Sequence, residues 1–81
     1  MSRDYTRVII AVEQDPAGCD LDIGFMMAPE HQTCERKIAT AQADIDTGRY
    51  RQWNANRRRF VDRARARGHR VVFRLFHSVA R

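Results

Sequence analysis

The sequence predicts an α+β fold: a three-stranded antiparallel sheet with two helices packed on one face, in the order ββααβ. Two observations carry that expectation. Hydrophobic periodicity is two-residue in Tyr5–Glu13, Cys19–Met27 and His69–Val79, and helical in two stretches between Pro29 and Arg67. Turn chemistry punctuates the chain at Asp15–Gly18, Gly48 and Gly68. At 81 residues the chain makes one compact domain, 1–81, because a second core could not be buried at this length. Hydrophobic residues make up 43% of it, enough for a packed core rather than a disordered segment.

The first strand, YTRVIIAVE, is rich in β-branched residues and apolar on both faces, which places it at the centre of the sheet. Val8, Ile10 and Val12 are expected to face the helices, and Ile9 and Ala11 the other side. In Gln14-Asp15-Pro16-Ala17-Gly18, proline presets φ, aspartate bonds the turn backbone and glycine supplies a left-handed exit. The run CDLDIGFMM then alternates, with Leu21, Ile23 and Phe25 expected inward and Asp20 and Asp22 outward, so the first two runs form a hairpin.

Pro29 suits a first helical turn, and a helix from there to about Asp46 would bury Cys34, Ile38, Ala41 and Ile45. After a break at Gly48, Asp46 or Thr47 is expected to cap a second helix running through RYRQWNANRRRFVDRARAR, residues 49–67, to a stop at Gly68. On that helix Tyr50, Trp53, Phe60, Val61 and Ala64 share one face. The last strand points Val71, Phe73 and Leu75 to the helices and Arg70, Val72, Arg74 and Phe76 away. With the final strand crossing to the far side of the first, the strand order is 2-1-3. The open face then carries Ile9, Ala11, Val72 and Phe76 among Arg7, Arg70 and Arg74, a candidate partner or homodimer surface as well as ordinary exposure.

Charge divides the chain more sharply than its net of +5 suggests. Residues 1–47 hold four basic and nine acidic residues (4 − 9 = −5), whereas residues 48–81 hold eleven arginines and Asp62 alone (11 − 1 = +10). Arginine binds carboxylate or phosphate as a planar fork, and 14 of the 15 basic residues are arginine. Arg59, Arg63 and Arg67 follow one another at i,i+4, a like-charge row that costs an isolated helix ~0.2–0.5 kcal/mol per pair. The candidate partner-binding residues are therefore Arg57, Arg58, Arg59, Arg63, Arg65 and Arg67, with Arg70 and Arg74 behind them. A solvated arginine face is the bland alternative.

No catalytic or cofactor motif stands out, and no cofactor is expected. Cys19 and Cys34 do not make a disulfide framework. His31 and Cys34, at i,i+3, could share a metal with Cys19 or His69, but no paired CxxC or HxxxH spacing supports a site, and ordinary packing is expected. No apolar run approaches the ~18–20 residues that cross a bilayer. Met1–Thr6 has no signal-peptide pattern, which points to a cytoplasmic protein.

Three functions remain open on these residues. Nucleic acid could bind the arginines, with Tyr50 and Trp53 stacking bases if exposed, although their register favours the core. An acidic protein surface could dock on the arginine helix, and a basic one on Glu13, Asp15, Asp20 and Asp22. Metal-independent ribonuclease chemistry would use His69 or His77 with Arg70 or Arg74. The ending RGHRVVFRLFH distantly resembles the strand region of small RelE-type ribonuclease toxins, which however place their helices ahead of the sheet.

In size, layout and charge partition the whole chain, with its hairpin YTRVIIAVEQDPAGCDLDIGFMM, two helices and closing strand, resembles small phage-encoded inhibitors of the anti-CRISPR type. That resemblance rests on no diagnostic motif. It implies a non-catalytic protein that binds a CRISPR effector complex and blocks DNA recruitment or cleavage, and it transfers no contact residues.

Overall fold

The computed structural model describes residues 5–79, with side chains over 7–76. Strand β1 (Tyr5–Gln14) and strand β2 (Asp20–Met27) form the hairpin, helix α1 (Cys34–Thr47) and helix α2 (Ala55–Ala66) follow, and strand β3 (Arg70–Val79) closes the chain. A four-residue 3-10 turn, Arg49–Gln52, sits between the helices. The sheet is antiparallel throughout and ordered β2-β1-β3, as the sequence predicts.

The hairpin turn forms for the reasons its residues suggest. Gly18 adopts φ 90° and donates to the Asp15 carbonyl at 2.9 Å, while the Asp15 carboxylate accepts from the Cys19 amide at 2.9 Å.

Helix α1 begins later than Pro29 promises. Residues 29–32 make a separate turn, closed by Gln32 N–H to the Pro29 carbonyl at 3.1 Å, with Glu30 in the left-handed region at φ 60°. The helix starts where Thr33 can cap it, its hydroxyl accepting from the Arg36 amide at 3.1 Å. Cys34, Ala41 and Ile45 are buried and Ile38 is half-buried against them. Gly48 ends the helix in the left-handed conformation.

The expected single helix over 49–67 is two pieces. Neither Asp46 nor Thr47 caps the second; instead Asn54 accepts from the Arg57 amide at 3.0 Å, and the Thr47 hydroxyl donates back to the Ala43 carbonyl at 2.7 Å. Breaking the chain at Trp53–Asn54 keeps Tyr50 and Trp53 against the core without requiring one helical register for all five apolar residues. Tyr50, Phe60, Val61 and Ala64 are buried, and Trp53 packs against them half-buried. Gly68, at φ 76°, follows the last helical turn, where the His69 amide reaches the Ala64 carbonyl at 2.9 Å.

The faces of β1 and β2 correct the sequence reading. Ile9, Ala11 and Glu13 face the helices, with Ile9 and Ala11 wholly buried, and Val8, Ile10 and Val12 lie on the open side. Alanine at 11 lets the helices close on the central strand, and a polar Glu13 is tolerated inside because partners meet it there. In β2 the register slips at two places: Ala11 faces Phe25 while Val12 faces Ile23, and Glu13 faces Asp22 while Gln14 faces Asp20. The extra residue at the first slip is Gly24, where any Cβ would overlap the Phe60 ring. Each slip reverses the alternation, so Phe25 stays inside whereas Ile23 and Leu21 are turned out, 57% and 52% exposed. In β3, Val71 and Phe73 face the helices as expected; Leu75 shares their side but is 42% exposed.

Phe25 is the hub of the aromatic core. Its ring stands edge-on to Trp53, Phe60 and Phe73 at centroid distances of 5.9, 6.0 and 6.3 Å. Among the described residues no helix is long and apolar enough to cross a membrane.

Candidate functional site: the arginines of the second helix

The eight arginines singled out by sequence do not converge. The structure sorts them by what each guanidinium meets, and the sorting follows from position on α2. Those on its flanks reach backbone carbonyls at or near the ends of neighbouring elements. Arg57 donates to the Met26 carbonyl at the end of β2 (3.0 Å) and lies 5.0 Å over the Phe25 ring. Arg65 donates to the Ile45 carbonyl in the last turn of α1 (2.9 Å), supplying positive charge where α1 has none of its own, and its guanidinium sits 5.8 Å over Tyr50. Arg58 donates more weakly, at 3.4 Å, to the Arg51 carbonyl in the 3-10 turn.

Two others are bound by acids. Arg67 pairs with Glu13 at 3.3 Å, and Arg74 pairs with Asp20 at 3.0 Å. The Arg74–Asp20 pair spans the open face: Arg74 stands opposite Ile10 and Asp20 opposite Gln14, so the bridge runs diagonally over Val12. That strap explains why Val12, uncovered by any helix, is 5% exposed. The Arg74 bridge holds the Asp20 carboxyl below the usual aspartate range, with the Gln14 amide contributing. Asp15 is occupied in the hairpin turn and Glu13 is buried, so the expected acidic patch of Glu13, Asp15, Asp20 and Asp22 does not form as one surface.

What remains on the outward side of α2 is a smaller group. Arg59 is exposed and held to Asn56 at 2.7 Å, and Arg63, one turn on, is exposed with no hydrogen bond among the described residues. Arg58 and the exposed Arg51 extend this group toward the 3-10 turn. Asp62 would be their natural counter-charge, but its carboxylate accepts the Tyr50 hydroxyl at 2.5 Å. That bond, with burial, pushes the Tyr50 hydroxyl pKa up. Arg70 lies on the opposite side of the molecule, on the open sheet face, again without a partner among the described residues.

Sequence reasoning missed the cluster at the end of the sheet. Glu13 is 4% exposed; one carboxylate oxygen lies 2.6 Å from His69 Nδ1, and both are within reach of Arg67. The His69 bond is the main reason its carboxyl sits below the ordinary glutamate range; burial opposes the shift and Arg67 assists it. A charged residue inside the period of a buried strand was the available signal. His69 is thus engaged in the fold, while the side chain of His77 lies outside the described residues.

Cys34 is buried in the core and Cys19 is exposed at the hairpin, both as free thiols. Among the described residues no three His, Cys, Asp or Glu side chains gather as metal ligands would. A recess of about 210 Å³ lies beside the aromatic hub, lined by Phe25, Lys37, Asp44, Trp53 and Arg57. No protein-family model matches the chain, and neither a curated protein nor a solved structure shows significant similarity to it.

Proposed function

We propose that this chain is a non-catalytic binding protein that occupies a surface of a nucleoprotein complex through the outward arginines of α2. The observation that supports the reading is the uncompensated row Arg58, Arg59 and Arg63, extended by Arg51. Its one local acid, Asp62, is taken by Tyr50, and the acid-paired arginines lie elsewhere. A row of like charges on a helix lowers its stability unless something negative meets it. Planar guanidinium forks suit both carboxylates and phosphates, the two anions a nucleoprotein surface offers. Flanking arginines reinforce the presentation, because Arg57 and Arg65 pin α2 to β2 and α1 and so hold the outward row on a rigid element.

The resemblance to anti-CRISPR inhibitors in size, layout and charge makes a guide-loaded CRISPR effector the partner to test, with blocked DNA recruitment as the mechanism. The test measures target-DNA binding by such effectors with the wild-type chain and with the variant Arg58→Glu, Arg59→Glu, Arg63→Glu. The wild type is expected to inhibit and the variant, shown folded by circular dichroism, to lose inhibition by a factor of ~100 or more. Equal inhibition by the folded variant removes the helix from the mechanism. A gel shift with DNA or RNA alone that weakens steeply with salt would instead assign direct nucleic-acid binding.

A further inference from the structure

The open face of the sheet poses a separate question. Four large apolar side chains, Leu21, Ile23, Met26 and Phe76, are each more than half exposed, at 52, 57, 59 and 53%. Three of them are placed there by the register, Met26 opposite Ile10, Ile23 opposite Val12 and Phe76 opposite Val8, so they form one continuous surface rather than scattered exposure. Leu21 adjoins them at the second slip in β2, around a shallow depression that also includes Ile10, Val12 and Ile23. Neither helix covers this side.

We infer that the open face seats a second copy of this chain, the two sheets packed face to face about a two-fold axis running along β1. Self-complementarity carries the inference, and it is written in the register. Asp20 and Arg70 both stand opposite Gln14, one on β2 and one on β3, on the same face. Half a turn about an axis parallel to β1 exchanges those two positions. It therefore lays Asp20 of each copy against Arg70 of the other, twice per dimer. The same operation sets Ile23 on Val72 of the second copy, because both flank Val12, and sets Met26 on the stem of Arg74, because both flank Ile10. Ile10 then meets its own counterpart near the axis, while Val12 stays beneath the Arg74–Asp20 bridge of its own chain. Rotation about an axis across the strands would instead stack β3 on β3 and set the basic margin of Arg70 and Arg74 against itself, which like-charge repulsion disfavours.

The face is small. Three strands ~4.8 Å apart over about eight residues of ~3.3 Å each project on the order of 400 Å². That is about half the ~800 Å² per partner of a standard interface, which puts the dimer among weakly associating ones. Aligned sheets pack ~10 Å apart at about 30°, a separation that aspartate and arginine side chains bridge from opposite sides. Arg74 already holds Asp20 at 3.0 Å within its own chain, so Arg70 of the second copy would complete a two-arginine clasp on one carboxylate.

The dimer uses the side of the molecule opposite the α2 arginines and does not depend on their role. Sedimentation equilibrium on the full chain, from micromolar to sub-millimolar concentration, is expected to show a species of about 19 kDa, twice the 9.5 kDa of one chain. Ile23→Lys, at an exposed position outside the core, is expected to give a monomer with an unchanged circular dichroism spectrum. Arg70→Glu, which sets two carboxylates together at each margin, is expected to weaken association about tenfold. A wild type that stays monomeric over the whole range overturns the inference. So does a dimer unaffected by both substitutions, which would place the interface elsewhere.

Discussion

The two faces of the sheet differ in a way that hydropathy does not anticipate. The covered face is built from Ile9, the small Ala11, a glycine and a buried glutamate, whereas the open face carries Val8, Ile10, Ile23, Met26 and Phe76. Along β1, apolar content alone would make the open face the core. What decides is fit: helices close onto a central strand where side chains are small, and the volume comes from Phe25, Phe60 and Phe73 around it. The covered face is thus specified by shape, and the open face keeps apolar surface that neither helix buries.

Substitution at Gly24 breaks that contrast most severely. Gly24→Val is expected to destabilise the fold by about 1–3 kcal/mol or more, since Cβ overlaps the Phe60 ring and either the ring or the strand must move. Ile23→Lys, the next residue but on the open side, is expected to change the stability of the monomer by less than about 0.5 kcal/mol. Urea denaturation of both variants measures the difference; equal effects would mean that Ile23 also contributes to the core.

Glu13 gives the second test, because a charge on the covered face is kept only by its partners. Glu13→Gln is expected to cost about 1.5–3 kcal/mol through weakened bonds to His69 and Arg67. Its pH dependence has a definite sign. The folded-state pKa of Glu13 is depressed, so the unfolded chain takes up the proton first on acidification. The stability it contributes is complete above the ordinary glutamate range and is lost as pH falls through the lower folded value. Wild type should therefore lose stability toward acid more steeply than Glu13→Gln. Parallel acid profiles would show that the carboxylate is not held by its neighbours.

Much of this was legible in the sequence. The three strands, their 2-1-3 order, the left-handed glycines and the buried stripe of α1 follow from local periodicity and turn chemistry, which act over a few residues. The faces of β1 and β2 do not, because both faces of β1 are apolar and two register slips in β2, the first at Gly24, each reverse the alternation. Among the candidate site residues, the sequence singles out the arginines but does not tell Arg63, which faces solvent, from Arg65, which reaches the end of α1. That distinction depends on which carbonyls the fold brings within reach of each guanidinium. The Glu13–His69 contact, across 56 residues, lay wholly beyond local reasoning.

The smallest expected effect joins the core to the proposed binding row. Tyr50→Phe removes the hydroxyl that occupies Asp62 while leaving the buried ring in place. The lost bond is expected to cost about 1 kcal/mol in denaturant. Asp62 would then be released to Arg58 and Arg65, its i−4 and i+3 neighbours, each such pair worth ~0.2–0.5 kcal/mol. Positive charge on the outward side of α2 would fall, and affinity for an anionic partner should fall with it by a few-fold at low salt, the gap closing as salt screens both forms. In the wild type, phenolate absorbance should include a component titrating above the ordinary tyrosine range, because its bond to Asp62 and its burial both favour the neutral hydroxyl. That component should be missing in Tyr50→Phe. A variant that lost stability yet bound its partner as tightly as wild type would separate Asp62 from the control of the arginine row, leaving the Tyr50 bond a purely structural contact.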